Sequence, residues 1–228
     1  MSESAERTLH DTHFPNESAE YRAARDRLLE AEIALRRQTE AVAAQRRALP
    51  RGGEVPEDYV FEGAAGPVRL SELCGDKDVL LLYGFMYGPK MERACPSCTS
   101  FINALDGEMR HIRQRVAIAV VARSPLTRFK AHAQDRGWRD TRLLSSAGNN
   151  FHPDYHAEDA QGSQWPIMNV FARHGGKIRH VWASELAFAP RDPGQDPRHI
   201  DAFWPLWGIL DLSPNGRGED FRPKLSYD

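Results

Sequence analysis

The stretch "RACPSCTSF", residues 93–101, decides how this chain is read. Two cysteines, Cys95 and Cys98, stand three positions apart in it, and apolar residues at helical spacing follow: Phe101, Leu105 and Met109. Thiols at i and i+3 of a helix's first turn share a face and lie within reach of a disulfide. The first-turn N–H groups have no intrahelical partner and favour negative charge. Thiolate is the reactive form, so this placement activates the first thiol. Pro96 has a fixed φ and no N–H to satisfy, which suits a helix start. In a redox reading Cys95 attacks a disulfide and Cys98 resolves the mixed disulfide. Taken alone, the spacing also admits half of a metal site or two buried thiols.

The flanking segments supply a frame. "DVLLLYGFM" (78–86) and "RVAIAVVAR" (115–123) are continuous apolar runs of the kind buried inside a sheet. With the cysteine helix between them they make a strand–helix–strand crossover. "DYVFEGAAGPVRLSEL" (58–73) reads as two short strands around a glycine-containing turn. "SPLTRFKAHAQDRGW" (124–138) reads as a helix with Ser124 as cap and Pro125 at its first position. "TRLLSS" (141–146) is a shorter strand, and "NNFHPDYHAEDAQGSQ" (149–164) is polar and irregular. "PIMNVFARHGGKIRHVWAS" (166–184) is a hairpin turning near Gly175 and Gly176. "PRHIDAFWPLWGILDL" (197–212) is a last helix bent near Pro205, its Phe203, Trp204, Trp207 and Leu210 forming a core stripe. The sum is an α/β domain with a mixed sheet.

Ahead of it, Asn16 to Leu49 reads as one helix, with Asn16 as cap and Pro50 as stop. Tyr21, Leu28, Leu35, Val42 and Leu49 recur every seventh residue, while Gln38 and Gln45 interrupt the seam. The stripe is expected to pack on the protein's own domain, with a homodimer through this helix as the alternative. "RGGEVPED" (51–58) is a linker by composition. The expected organisation is therefore an extension over 1–52 and a domain over 53–228.

Composition narrows the function classes. The 228 residues carry a formal net charge of -2, so no basic field would hold a nucleic acid. The longest apolar run, "VLLLYGFMY", is too short to span a bilayer, and the N-terminus lacks the apolar core of a signal peptide. A cytoplasmic protein without membrane contact is expected. In a reducing compartment C-x-x-C is redox-active or metal-binding rather than a staple. A structural zinc site needs four ligands. His152 and His156 could complete a set, but they lie more than fifty residues on and read as polar loop residues. Cys74 reads as a small buried residue and "HGGK" as a turn. No cofactor and no metal is assigned.

Several words of the chain occur in order: "RRALP" (46–50), "DYVF" (58–61), "GPVRLSEL" (66–73), "YGFMYGP" (83–89), "CPSC" (95–98) and "LDLSPNGRGED" (210–220). In these the sequence resembles the DUF899 family of thioredoxin-like bacterial proteins, predicted dithiol-disulfide oxidoreductases. The resemblance implies a thioredoxin-like fold, a mixed central sheet flanked by helices, with a long N-terminal helical extension. It implies Cys95 as attacking thiol and Cys98 as resolving thiol, with Pro96, Ser97, Trp165 and Pro166 facing the substrate. That substrate would be a protein or small-molecule disulfide or thiol. Pro166 is expected to be cis and Trp165 to wall the site.

The sequence also departs from the pattern. Thioredoxin has an acidic residue in the strand before its cysteines, but "VLLLYGFM" has none, and Ala94 replaces the tryptophan before the first cysteine. Glu92 and His111 are the candidates to assist Cys98. Peroxiredoxins place a proline and a hydroxyl residue upstream of the reactive cysteine, where this chain has Gly88 and Glu92. A thiol-disulfide oxidoreductase is therefore expected. The alternatives are a thioredoxin-fold binding protein without turnover, a weak thiol peroxidase, or a zinc-bearing module.

Overall fold

The computed structural model describes residues 9–190, 201–218 and 221–227. Met1–Pro50 forms one compact unit and Arg51–Asp228 another. The first is built on a single helix, α1 (Ala19–Arg47). Its cap is Ser18, whose hydroxyl accepts the Tyr21 N–H at 3.1 Å. Asn16, the expected cap, sits at φ 62° instead. A cap needs an extended backbone, whereas asparagine tolerates the left-handed region. None of the residues of α1 is buried.

The second unit carries a seven-stranded sheet ordered β2-β1-β5-β4-β3-β6-β7. The strands are β1 (Val60–Gly63), β2 (Gly66–Arg69), β3 (Val79–Phe85), β4 (Ala117–Ala122), β5 (Leu143–Ser145), β6 (Ile167–His174) and β7 (Lys177–Ala183). β3, β4 and β5 run parallel, and β6 and β7 continue antiparallel. The hairpin between β6 and β7 turns through Gly175 and Gly176, at φ 59° and 77°. Two consecutive positive φ values are what glycine supplies without steric cost.

Alternation along β3 sorts the core into two layers. Leu80 and Leu82 join Phe61, Phe151 and Phe171 on one face. Tyr83 and Phe85 join Phe101, Ile102, Phe129 and Trp204 on the other. Both faces are covered, which is why β3 reads as an unbroken apolar run. Helix α2 (Leu70–Leu73) follows β2. Residues 52–55 run beside β7: His180 donates to the Gly53 carbonyl at 2.9 Å and Val55 to Ile178 at 3.1 Å. Gly52 lies so close that a Cβ would overlap the His180 carbonyl oxygen.

Several expectations are corrected. The cysteine helix, α3 (Pro96–Asp106), stops before Gly107, and α4 (Met109–Ile112) is separate. Helix α5 (Leu126–Arg136) has Pro125 as its cap, with Ser124 buried before it. The segment read as polar and irregular contains a short helix, α6 (Phe151–Asp154). Phe151, His152, Tyr155 and Ala157 there are all buried, so this segment is a piece of core. Of the last helix, residues 197–200 lie outside the described residues. The remainder is a 3-10 turn (Asp201–Phe203) and α7 (Pro205–Leu210), where proline opens the helix instead of bending it. Among the described residues no helix is long and apolar enough to cross a membrane.

Candidate active site

At the carboxyl end of β3 the chain leaves the sheet, loops through residues 86–94 and enters α3. Cys95 is the cap of that helix, with φ −61° and ψ 125°, and Pro96 is its first residue. The Cys95 N–H donates back to the Met86 carbonyl at 3.0 Å. Its own carbonyl accepts two bonds from Thr99, from the N–H at 3.0 Å and from the hydroxyl at 2.9 Å. That hydroxyl has one proton to give. It must therefore accept from His132 Nε2, 3.0 Å away, which fixes the tautomer of His132. His132 lies among Phe85, Tyr87 and Trp138. Burial, with Arg136 adding to it, pushes its pKa down to about 4. The loop is tied from the side by Arg128. Its guanidinium donates to the carbonyls of Met91 and Glu92 and lies 4.3 Å from the Tyr87 ring centroid.

The two thiols are free and differ in environment. Cys95 is half-buried and Cys98 is 1% exposed. The Cys98 thiol is hydrogen-bonded to the Cys95 sulfur and, against the opposing effect of burial, holds the Cys95 pKa down to about 6. The first-turn N–H groups of Cys98 and Ser97 act in the same direction. Burial, followed by the hydrogen bond to Cys95 and then the charge on Cys95, pushes the Cys98 thiol far up. The hydroxyl of Tyr83, from the middle of β3, donates to Cys98 Sγ at 3.3 Å. Burial likewise raises Tyr83 well above the ordinary phenol range.

Pro96 and Ser97 thus sit with both cysteines at the head of α3, each half-buried. Trp165 and Pro166 behave otherwise than expected. The Trp165–Pro166 bond is trans. The Trp165 N–H is held by the Ala157 carbonyl at 2.8 Å, and Ile167 already pairs with Gly84 in the ladder. The chain runs straight into β6, with proline just before the strand, where no ladder donor is lost. Trp165 is 43% exposed. Its ring lines a hollow of about 340 Å³ with His156, Glu158, Asp159 and Phe188, and neither cysteine is among the lining residues.

His152, expected in a polar loop, is 1% exposed and bonded through Nδ1 to the Ser146 hydroxyl at 2.6 Å. His156 is exposed, at φ 57°. Among the described residues no three His, Cys, Asp or Glu side chains come together as a metal-binding set. Cys74 is buried, and burial pushes its thiol up. Glu92 and His111 are exposed, and Cys98 is partnered by Tyr83 and Cys95 instead. Sequence reasoning missed Tyr83, Thr99 and His132. A hydroxyl in the middle of the apolar run of β3 was the one available signal, since a buried hydroxyl must find a partner.

The buried His152 and the half-buried His132 set a pH dependence. Burial pushes His152 down to about 3, with Arg123 adding to it, as burial pushes His132 to about 4. Both lie below the ordinary value of 6.5, so the unfolded chain takes up protons that the folded chain refuses. Their contribution is present above pH 6.5 and is lost as pH falls from there toward 3. The urea midpoint is expected to be lower at pH 4.5 than at pH 7, and an equal or higher midpoint would contradict this.

A mixed sheet of this order, with a dithiol at the head of the helix that follows its inner strand β3, defines a thioredoxin-like protein. Over residues 11–227 the chain matches the family model described as "Bacterial protein of unknown function (DUF899)", and it belongs to that family. No curated protein matches the sequence. Among solved structures, the reduced 2-Cys peroxiredoxin of Plasmodium vivax is similar at 20% identity and a TM-score of 0.45, covering 67% of this chain and 94% of that one. Peroxidoxin BcpB of Mycobacterium tuberculosis is similar at 17% identity and a TM-score of 0.44, over 69% and 95%. A peroxiredoxin-like protein of Aquifex aeolicus is similar at 15% identity and a TM-score of 0.42, over 59% and 75%.

Proposed function

We propose that this protein is a thiol–disulfide oxidoreductase cycling between a Cys95–Cys98 dithiol and a disulfide. The observation that carries the reading is the asymmetric placement of the pair: Cys95 caps α3 half-buried, while Cys98 is buried beneath it against the Tyr83 hydroxyl, an arrangement that holds the first thiol down to about pKa 6 and pushes the second far up. At neutral pH Cys95 is then a thiolate, and Cys98 keeps its proton.

The Cys95 thiolate attacks one sulfur of a substrate disulfide. One substrate thiolate leaves, and the other sulfur stays bound to Cys95. The Cys98 sulfur next attacks Cys95 Sγ, and the Cys98 proton passes to the departing substrate sulfur. The first substrate thiolate takes its proton from solvent, so the substrate has gained two electrons and two protons, and Cys95–Cys98 is a disulfide. A reduced thiol from a reducing compartment such as the cytoplasm restores the pair. Substrates are protein or small-molecule disulfides or thiols. Pro96 and Ser97 flank the reacting sulfur. Pro166 takes a substrate-facing role by placement, just before the Gly84–Ile167 pairing at the end of β3 from which the cysteine loop departs. The apolar stripe of α1 is the surface through which a homodimer would form.

Equilibration in glutathione redox buffers, followed by differential alkylation and mass analysis, tests the reading. A Cys95–Cys98 disulfide is expected to form and revert with a single midpoint while Cys74 stays reduced. A pair that never oxidises, or a Cys95–Cys74 disulfide, would remove the proposal.

A further inference from the structure

We infer that Tyr83 is a catalytic residue of the resolving step: its hydroxyl, donated to Cys98 Sγ, stabilises the negative charge that develops on that sulfur. The inference rests on the oxidoreductase reading and names a group that this reading does not require.

Cys98 is 1% exposed, so its charge cannot be solvated by bulk water. The strand beneath it, Val79–Phe85, contains no carboxylate. Its polar side-chain partners are Cys95 on one side and Tyr83, 3.3 Å away, on the other. A phenol has one proton to donate, and here it goes to sulfur. Donation to a neutral thiol is weak and donation to a thiolate is strong. The bond therefore tightens as the Cys98 proton leaves, so it favours the transition state over the ground state.

Tyr83 is also well placed to act without moving. Its backbone lies in the ladder between Val120 and Met168, and its ring packs against Phe101 with centroids 4.9 Å apart. A donor fixed in this way costs little reorganisation when the charge appears. Tyr83 does not serve as the base, because burial raises its hydroxyl and keeps the proton on it. The Cys98 proton still goes to the departing substrate sulfur. One S–S bond breaks, the Cys95–Cys98 bond forms, and Tyr83 ends the step unchanged. In the reverse direction a thiolate attacks Cys95 Sγ of the disulfide, and Cys98 leaves as a thiolate held by the same bond.

The test uses full-length Tyr83→Phe and 5,5′-dithiobis(2-nitrobenzoate). Cys95 attack releases a first equivalent of thionitrobenzoate, and Cys98 resolution releases the second. In the variant the second phase is expected to slow by about 10- to 100-fold, the loss of one hydrogen bond to a charged group. The Cys95–thionitrobenzoate adduct should accumulate by mass, with the first phase remaining fast. A merely structural tyrosine would leave the ratio of the two phases unchanged. A second phase within twofold of wild type overturns the inference. Tyr83→Met, which also removes the donor, serves if the phenylalanine variant does not fold. Failure of both to fold counts against the inference, since a donor needed for kinetics is not needed for folding. If the wild type itself releases a single equivalent from the pair, the oxidoreductase reading fails instead.

Discussion

Cys95→Ser is expected to abolish disulfide turnover, and Cys98→Ser to halt it one step later with substrate still attached. A serine hydroxyl at position 95 would have the same helix cap and the same N–H groups around it. It would not ionise near neutral pH, so no nucleophile forms. Loss of a covalent nucleophile typically costs at least about a thousandfold in rate. In Cys98→Ser the thiolate of Cys95 still attacks, but no sulfur is present to release the substrate. The mixed disulfide should then persist and appear in the intact mass. The two variants thus differ in where they stop, which a fold defect common to both would not produce. Turnover equal to wild type in either would contradict the assigned roles.

Phe151→Ala carries the largest expected loss of stability. Phe151 is 0% exposed and sits at the centre of an aromatic group. Its ring meets Tyr155 at 4.8 Å, Phe61 at 5.1 Å and Tyr59 at 5.4 Å, centroid to centroid. These rings come from β1, the segment before it and the turn after α6, so a cavity here loosens three parts of the chain. Phe→Ala at such a site costs about 3–5 kcal/mol. That is a large share of the roughly 5–15 kcal/mol that holds a domain together. With a urea slope of about 1–3 kcal/mol/M, the midpoint should fall by about 2 M. A loss below about 1 kcal/mol would mean that the cavity collapses and that the cluster is not the anchor of this layer.

Phe151 also marks where the sequence stops being legible. Its neighbours Asn149, Asn150, His152, Pro153 and Asp154 spell a loop by composition. Only rings far away in the chain show that the segment belongs to the core. Strands β3 and β4 were plain because both faces are covered, leaving uninterrupted apolar runs. The same uniformity hid the role of Tyr83: with no alternation of polar and apolar residues, nothing tells which face a given residue takes. Its register against Val120 and Met168 places it on the α3 side. The cysteine pair was legible because its geometry is local, two thiols three positions apart on one turn. The Thr99–His132 bond joins residues 33 apart and needs α5 packed beside α3. The hollow that Trp165 lines with His156, Glu158, Asp159 and Phe188 was not legible either, because it needs the chain to return to Ala157, whose carbonyl holds the Trp165 N–H.

The most direct measurement is the rate of iodoacetamide alkylation at Cys95 as a function of pH, followed by peptide mass in the wild-type protein. Rate rises as the thiol gives up its proton, so the half-maximum reports the acidity that Cys98 and the head of α3 impose. A half-maximum near pH 6, with Cys98 unmodified over the same range, is the expected result. A half-maximum at the ordinary thiol value of about 8.5, or equal reactivity of the two cysteines, would contradict it.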